Sequence, residues 1–241
     1  MTLKMIFINV LTLIRIIGTF ILIPVYDSFG AFTASVLSMI CYLTDSVDGL
    51  LARKWNVSTF FGALFDGVAD KLFTIINFIV LYLITHYAII PILLELSIVF
   101  VLFIKFVLKQ NIQSNIIGKC KVWILAMCVV LALFISGISD INFIPLIIKE
   151  YFLNIPSNNL YFYILLPAII MEALTLLSYI LEIFKPKKIK ILNKTKKELK
   201  INKLEGKNRW ENFKNIWLNP DFYNEHKNDA NLIDLWKLSN R

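Results

Sequence analysis

Stretches of about 20 apolar residues recur along most of this chain, and nothing constrains its fold more. They lie at about 5–25, 31–52, 60–85, 87–108, 120–138 and 160–184. Each is long enough, as a helix, to cross a hydrocarbon layer roughly 30 Å thick. No water satisfies peptide groups inside such a layer, so each segment must bond its own backbone, as a helix does. The expected fold is all-α: a polytopic membrane protein with six transmembrane helices over residues 1–184. A composition that is 58% hydrophobic exceeds the apolar share of an ordinary soluble domain. Lys4 ahead of the first stretch superficially fits a signal peptide. Arg15 interrupts that run, however, and no small-residue cleavage site follows it, so the segment is expected to remain a helix.

The net charge of +8 resides entirely in residues 185–241, a tail opening with Lys185-Pro186-Lys187-Lys188; residues 1–184 are balanced. Arg53 and Lys54 separate the second and third stretches, and Lys105, Lys109, Lys119 and Lys121 flank the connection between the fourth and fifth. The connections near 26–30 and 86–90 carry no Lys or Arg, and 139–159 carries Lys149 alone. The positive-inside rule then places both termini and the basic loops in the cytoplasm, in a cell membrane. The basic cluster after Phe184 is attracted to anionic lipid, by about 1 kcal/mol per charge; no nucleic-acid partner is expected. Trp210, Phe213 and Trp217 predict an amphipathic helix on the membrane or on the body of the protein. A solvated tail is the plainer alternative, and in either case the tail is expected to be separable from the chemistry. Cys41, Cys120 and Cys128 are odd in number and lack a C-x-x-C, so they are expected to be free thiols.

Against this apolar background stands the run from Asp45 to Asp70, with the pattern D-x2-D-G-x2-A-R-x8-G-x3-D-x3-D. Charged groups in membrane segments are costly and mark function. Asp45 and Asp48 share a helix face by their spacing, as do Asp66 and Asp70. A short connection around 54–60 lets the two pairs face one another. Four such acids repel unless cations neutralise them, and oxygen ligands suit hard ions such as Mg2+ or Mn2+. Two ions about 3.5–4 Å apart are suited to clamping a phosphoryl group during in-line displacement. Gly49, Ala52, Gly62 and Ala63 remove bulk beside the acids, which lets helices pack closely or a nucleotide approach the backbone. Arg53 is placed to contact a phosphate or pin an aspartate. Two aspartates alone at a helix end are as often a cap or a solvated face. Four at these spacings, with Gly, Ala, Arg and Gly in register, argue against that reading.

The pattern resembles the signature of the CDP-alcohol phosphotransferase family at every fixed position. Asn9-Val10-Leu11-Thr12-Leu13-Ile14-Arg15 resembles the N-x-x-T-x-x-R opening of its bacterial phosphatidylglycerophosphate synthase and cardiolipin synthase branches. Asp66-Gly67-Val68-Ala69-Asp70-Lys71 and Gly118-Lys119-Cys120-Lys121 resemble two further elements of those branches. The similarity covers roughly residues 5–184, which gives a phosphotransferase transmembrane domain at 1–184 and a basic tail at 185–241.

The resemblance implies a homodimeric enzyme of phospholipid biosynthesis. A phosphatidyl group would pass from CDP-diacylglycerol to an alcohol, with release of CMP. It implies that Asp45, Asp48 and Asp66, with Asp70 as a fourth metal ligand, hold two divalent metals, and that Asp70 also serves as general base. It also implies that Gly49, Ala52, Arg53 and Gly62 line the CDP site together with Asp45, Asp48 and Asp66. Lys119 and Lys121, with Lys105, are candidates for an acceptor phosphate, although lysines there also satisfy the positive-inside rule. Arg15 either reaches the acceptor site or snorkels to the interface.

Glycerol 3-phosphate is the first expectation for the acceptor; phosphatidylglycerol, inositol phosphate and serine are alternatives. One departure bears on this choice: Leu94-Glu95 stands where phosphatidylglycerophosphate synthases usually carry Arg-Glu. Glu172 is a further buried acid, expected to pair with a lysine or arginine of another helix. A divalent-cation transporter is the reading from a different class, and would spread its acids over several helices near the midplane. An inactive homologue acting through its tail is a third, opposed by the intact set of four aspartates.

Overall fold

The computed structural model describes residues 3–108, 116–138, 157–184 and 209–226, with isolated positions at 145, 150, 235, 236 and 239. Among these residues there is no strand. The elements are α1 (Leu3–Lys54), α2 (Phe60–Ile84), a 3-10 turn His86–Ala88, α3 (Ile89–Val107), α4 (Ile116–Ser136), α5 (Ser157–Phe184), α6 (Arg209–Trp217) and α7 (Pro220–His226).

A straight helix of 52 residues would run about 78 Å, more than twice a hydrocarbon layer of about 30 Å. Instead α1 breaks at Gly30, where φ is 81° and ψ 176°, a conformation that residues with a Cβ rarely adopt. The chain then returns on itself. Arg15 meets Asp45, Thr12 meets Asp48, and a Cβ on Gly18 would lie 2.6 Å from Cys41 Sγ. In each pair the two residues stand nearly equidistant from Gly30, as in two antiparallel arms, 3–29 and 31–54. The six apolar stretches therefore coincide with the two arms of α1 and with α2, α3, α4 and α5.

Among the described residues, four helices are long and apolar enough to cross a membrane: Lys4–Lys54, Phe60–Ile84, His86–Val107 and Asn159–Phe184; Cys120–Ser136 is a shorter apolar one. Their outward faces carry large apolar side chains, among them Phe20, Phe100, Phe103 and Leu181. Such a surface suits lipid rather than water, and the chain is an integral membrane protein. In lipid, close packing and interhelical hydrogen bonds hold helices together. Leu22, Phe73, Phe78, Leu125, Leu133 and Leu165 form one buried cluster spanning the first arm, α2, α4 and α5. Ser38 Oγ donates to Asn77 Oδ1 at 2.7 Å, and Ser35 Oγ to the Val130 carbonyl at 3.0 Å. Cys41 and Cys128 are buried, Cys120 is exposed, and all three are free thiols.

The connection from α1 to α2 is built locally. Asn56, at φ 53°, ends α1 in the left-handed conformation. The Val57 N–H donates to the Ala52 carbonyl at 3.1 Å and the Asn56 N–H to the Arg53 carbonyl at 3.3 Å, the two bonds of a Schellman ending. Thr59 then caps α2, its hydroxyl accepting from the Gly62 N–H at 3.0 Å. The whole turnaround thus takes only a few residues, and brings the end of α1 beside the start of α2.

The aromatic stripe of the tail does form a helix. Trp210, Phe213 and Trp217 stack along α6 at centroid distances of 5.6 Å and 6.1 Å. Asn219 caps α7 by accepting from the Asp221 N–H at 3.0 Å, with Pro220 at the first helical position, where a missing N–H costs nothing. Both helices pack on the body of the protein: Ile216, Trp217, Phe222 and Leu235 bury themselves against Phe60, the first residue of α2. Residues 185–208, which hold the basic juxtamembrane cluster, lie outside the described residues, as does Lys109.

Candidate active site

The α1–α2 turnaround decides which carboxylates meet. Asp45 and Asp48 come from the last turns of α1 and Asp66 from the second turn of α2. One carboxylate oxygen of each lies within 4.8 Å of the others. Asp48 is buried at 3% exposure and accepts a hydrogen bond from Thr12 Oγ1 at 3.5 Å. Arg15, 1% exposed, forms ion pairs with both Asp45 and Asp66. The Arg15 guanidinium thus pairs with two of the three carboxylates. Oxygen donors this close, with an incomplete counter-charge, fit hard divalent ions such as Mg2+ or Mn2+.

These acids line a cavity of about 750 Å3 together with Gly49, Ala52, Arg53, Gly62 and Ala63. The small residues therefore stand where bulk would fill that space. Gly62 is constrained twice, since a Cβ there would lie 3.0 Å from the capping Thr59 hydroxyl. Arg53 is exposed, and its Nε donates to the Gly49 carbonyl at 2.9 Å. Asp70 stands apart from the three-carboxylate cluster and from the cavity lining. It sits one turn further along α2, among the charges of Lys71, Arg15, Glu95 and Lys121.

Beyond Asp70 lies a buried ionic network. Glu95 of α3 is fully buried, and accepts from Lys71 Nζ of α2 and Lys121 Nζ of α4, each at 2.5 Å. Three helices are tied together through one carboxylate. The glutamate of the Leu94-Glu95 departure is thus the hub of this network. Lys105 is also buried; it pairs with Glu182 at 2.6 Å and lies 4.9 Å from the Tyr179 ring. Neither Lys105 nor Lys121 lines the cavity. Lys119 lies on α4, but its side chain is outside the described residues. Glu172 does not form the expected pair: it is fully buried near Glu95, Lys121 and Lys71, yet neither carboxyl oxygen has a hydrogen-bond partner among the described residues.

Two features of the site are not evident from the motif. A second, apolar cavity of about 250 Å3 lies between the second arm of α1 and α4, and shares Ser46, Val122 and Trp123 with the first. Tyr223, from α7, also lines the carboxylate cavity. Burial there pushes its hydroxyl up from the ordinary tyrosine range, so at neutral pH it remains a protonated donor.

The arrangement is thus a carboxylate cluster on a helix hairpin, able to hold a divalent ion, with small residues and an arginine around it. The sequence model of the CDP-alcohol phosphatidyltransferase family matches residues 5–180, and the chain belongs to that family. Among its relatives is the CDP-diacylglycerol–glycerol-3-phosphate 3-phosphatidyltransferase of Wigglesworthia glossinidia brevipalpis, 43% identical over 74 residues, which are 30% of this chain and 41% of that protein. The enzyme of the same name from Escherichia coli K12 is 44% identical over 68 residues, 26% of this chain and 36% of that protein. The matched stretch therefore spans well under half the length of either relative.

Proposed function

We propose that this protein transfers a phosphatidyl group from CDP-diacylglycerol to glycerol 3-phosphate, giving phosphatidylglycerophosphate and CMP. The observation that carries this reading is the junction of two cavities: one walled by three carboxylates and small residues, the other apolar, sharing Ser46, Val122 and Trp123. A donor with a pyrophosphate at one end and acyl chains at the other needs both environments side by side. The names of the two relatives support glycerol 3-phosphate over phosphatidylglycerol, inositol phosphate or serine.

In this reading the acceptor hydroxyl gives its proton to Asp70, and its oxygen bonds to the β-phosphorus of the donor. The pyrophosphate bond breaks on the opposite side, and CMP leaves with that electron pair. Asp45, Asp48 and Asp66 would hold two divalent ions, Mg2+ or Mn2+, which supply charge neutralisation for the phosphoryl group and the leaving CMP. Gly49, Ala52, Arg53 and Gly62 position the CDP portion, and orientation accounts for much of the acceleration. Lys71 and Lys121 lie near Asp70 and share Glu95 between them, so together they offer one net positive charge toward an anionic acceptor in this reading. Arg15, which bridges Asp45 and Asp66, and Lys105 and Lys119 complete the basic groups proposed for the acceptor side.

The two arms of α1 and helices α2 to α5 are read as six crossings. By the positive-inside rule, Arg53 and Lys54 at the turnaround support a cytoplasmic position for the site and both termini. Residues 1–184 act as the transmembrane domain and 185–241 as the tail. The outward apolar faces suit both lipid and the homodimer contact that the family resemblance implies. Confinement of the four motif aspartates to one helix hairpin disfavours a transporter, whose site would lie across several helices near the midplane.

CMP release by purified protein in detergent tests the reading, with CDP-diacylglycerol, Mn2+ or Mg2+, and each acceptor added separately. Release with glycerol 3-phosphate, abolished by Asp48→Ala and Asp70→Asn, is expected. Release with phosphatidylglycerol alone would instead identify a cardiolipin synthase. No release with any acceptor would refute the proposed activity.

A further inference from the structure

We propose that the C-terminal helices complete the donor site, with the Tyr223 ring forming the wall against which the cytidine half of a CDP-linked donor packs. This rests on the CDP-dependent reading above and extends it to a part of the chain outside the family match, which ends at residue 180. Tyr223 lines the same cavity as Asp45, Asp48 and Asp66.

Its position is held from three sides. Its ring meets Phe60 edge-on at a centroid distance of 4.9 Å, and its neighbour Phe222 meets Phe60 at 6.1 Å. Phe213 of α6 meets Phe61 at 6.3 Å. Asn224 Nδ2 donates to the Asn56 carbonyl at 3.5 Å, joining α7 to the α1–α2 turnaround. Phe60 is itself 6% exposed, so the aromatic contact is a packed one.

The location selects the half of the donor that Tyr223 meets. The apolar cavity, where acyl chains belong, adjoins the carboxylates through Trp123 and Val122 on α4. Tyr223 instead comes from a short helix that spans no membrane, and packs where α2 begins. The carboxylates lie in the same cavity and take the pyrophosphate, which leaves the nucleoside for the Tyr223 side. A tyrosine suits it: the ring stacks on a pyrimidine of any orientation, and the hydroxyl offers a donor to ribose or base.

The experiment measures binding of CDP and of inorganic pyrophosphate to the full chain in detergent with Mn2+, by calorimetry. Tyr223→Leu retains apolar bulk against Phe60 but removes the ring; Tyr223→Phe retains the ring. Tyr223→Leu is expected to weaken CDP roughly 5- to 150-fold, the range for loss of one base-stacking contact, and to leave pyrophosphate unchanged. Tyr223→Phe is expected to keep most of the CDP affinity. Unchanged CDP binding in Tyr223→Leu, or equal losses for CDP and pyrophosphate, would overturn the contact with the nucleoside. Failure of the wild-type protein to bind either probe would overturn the CDP-dependent reading itself, and this inference with it.

Discussion

Replacing Glu95 by Gln should destabilise the helix bundle by a few kcal/mol. Glu95 is fully buried and accepts from Lys71 and Lys121 at 2.5 Å each. Glutamine fills the same volume but has one carbonyl oxygen and no charge, so two ammonium groups on facing helices lose their counter-ion. A hydrogen bond to a charged group contributes roughly 1.5–3 kcal/mol, and breaking a buried ion pair costs about 3–5 kcal/mol. The two routes to the magnitude agree at a few kcal/mol. For a chain of this size each kcal/mol shifts the melting temperature by about 2–4 °C, so Glu95→Gln should melt roughly 6–20 °C below wild type. Thermal unfolding in detergent, followed by far-UV circular dichroism, measures this. The combined variant Lys71→Met, Glu95→Leu, Lys121→Met leaves no charge stranded, and should recover much of the loss. A Glu95→Gln protein melting within about 2 °C of wild type, or a triple variant less stable than the single one, would refute the argument.

Arg15→Met removes the guanidinium that pairs with Asp45 and Asp66. The metal-free protein should melt lower, and stabilisation by Mn2+ over chelator should exceed that of wild type, since the ion then meets no competing guanidinium; an equal or smaller metal-induced shift would count against this. Gly30→Ala places a Cβ at φ 81°, and should cost roughly 1–3 kcal/mol of stability. Gly67→Ala, where an added Cβ meets nothing within 4 Å, is the matched control, and similar losses in both would contradict the role given to Gly30.

The carboxylate cluster could be read from spacing because it depends on local geometry. Asp45 and Asp48 share a helix face, Asp66 follows a turnaround too short to lead elsewhere, and the outcome needs no knowledge of distant helices. The hairpin in α1 was legible for the same reason: a connection near 26–30 without Lys or Arg separates two apolar stretches, and Gly30 lies within it. Partner choice across helices was not. Whether Lys121 points to solvent or to Glu95 depends on how α4 is rotated against α3, and several rotations satisfy the same apolar pattern. Lys105 likewise looks like an ordinary positive-inside residue until α5 brings Glu182 to it. The aromatic period of Trp210, Phe213 and Trp217 announces a helix with one apolar face. It says nothing of what that face covers, so the docking on Phe60 and the placement of Tyr223 required the tertiary structure. Asn219-Pro220-Asp221 was a capping signal that, if read, would have located the start of α7.

The wall shared by the two cavities, at Ser46, Val122 and Trp123, changes how substrate supply is to be counted. On the proposed activity, a donor with one end in each compartment would reach the site by lateral diffusion within the lipid leaflet, while a water-soluble acceptor would arrive from bulk solution. The relevant abundance of the first is its mole fraction among neighbouring lipids; that of the second is an ordinary molarity. Diluting the membrane with inert lipid would therefore slow turnover at a fixed total amount of donor. Cellular flux through such a site would follow the crowding of the leaflet as much as the quantity of enzyme.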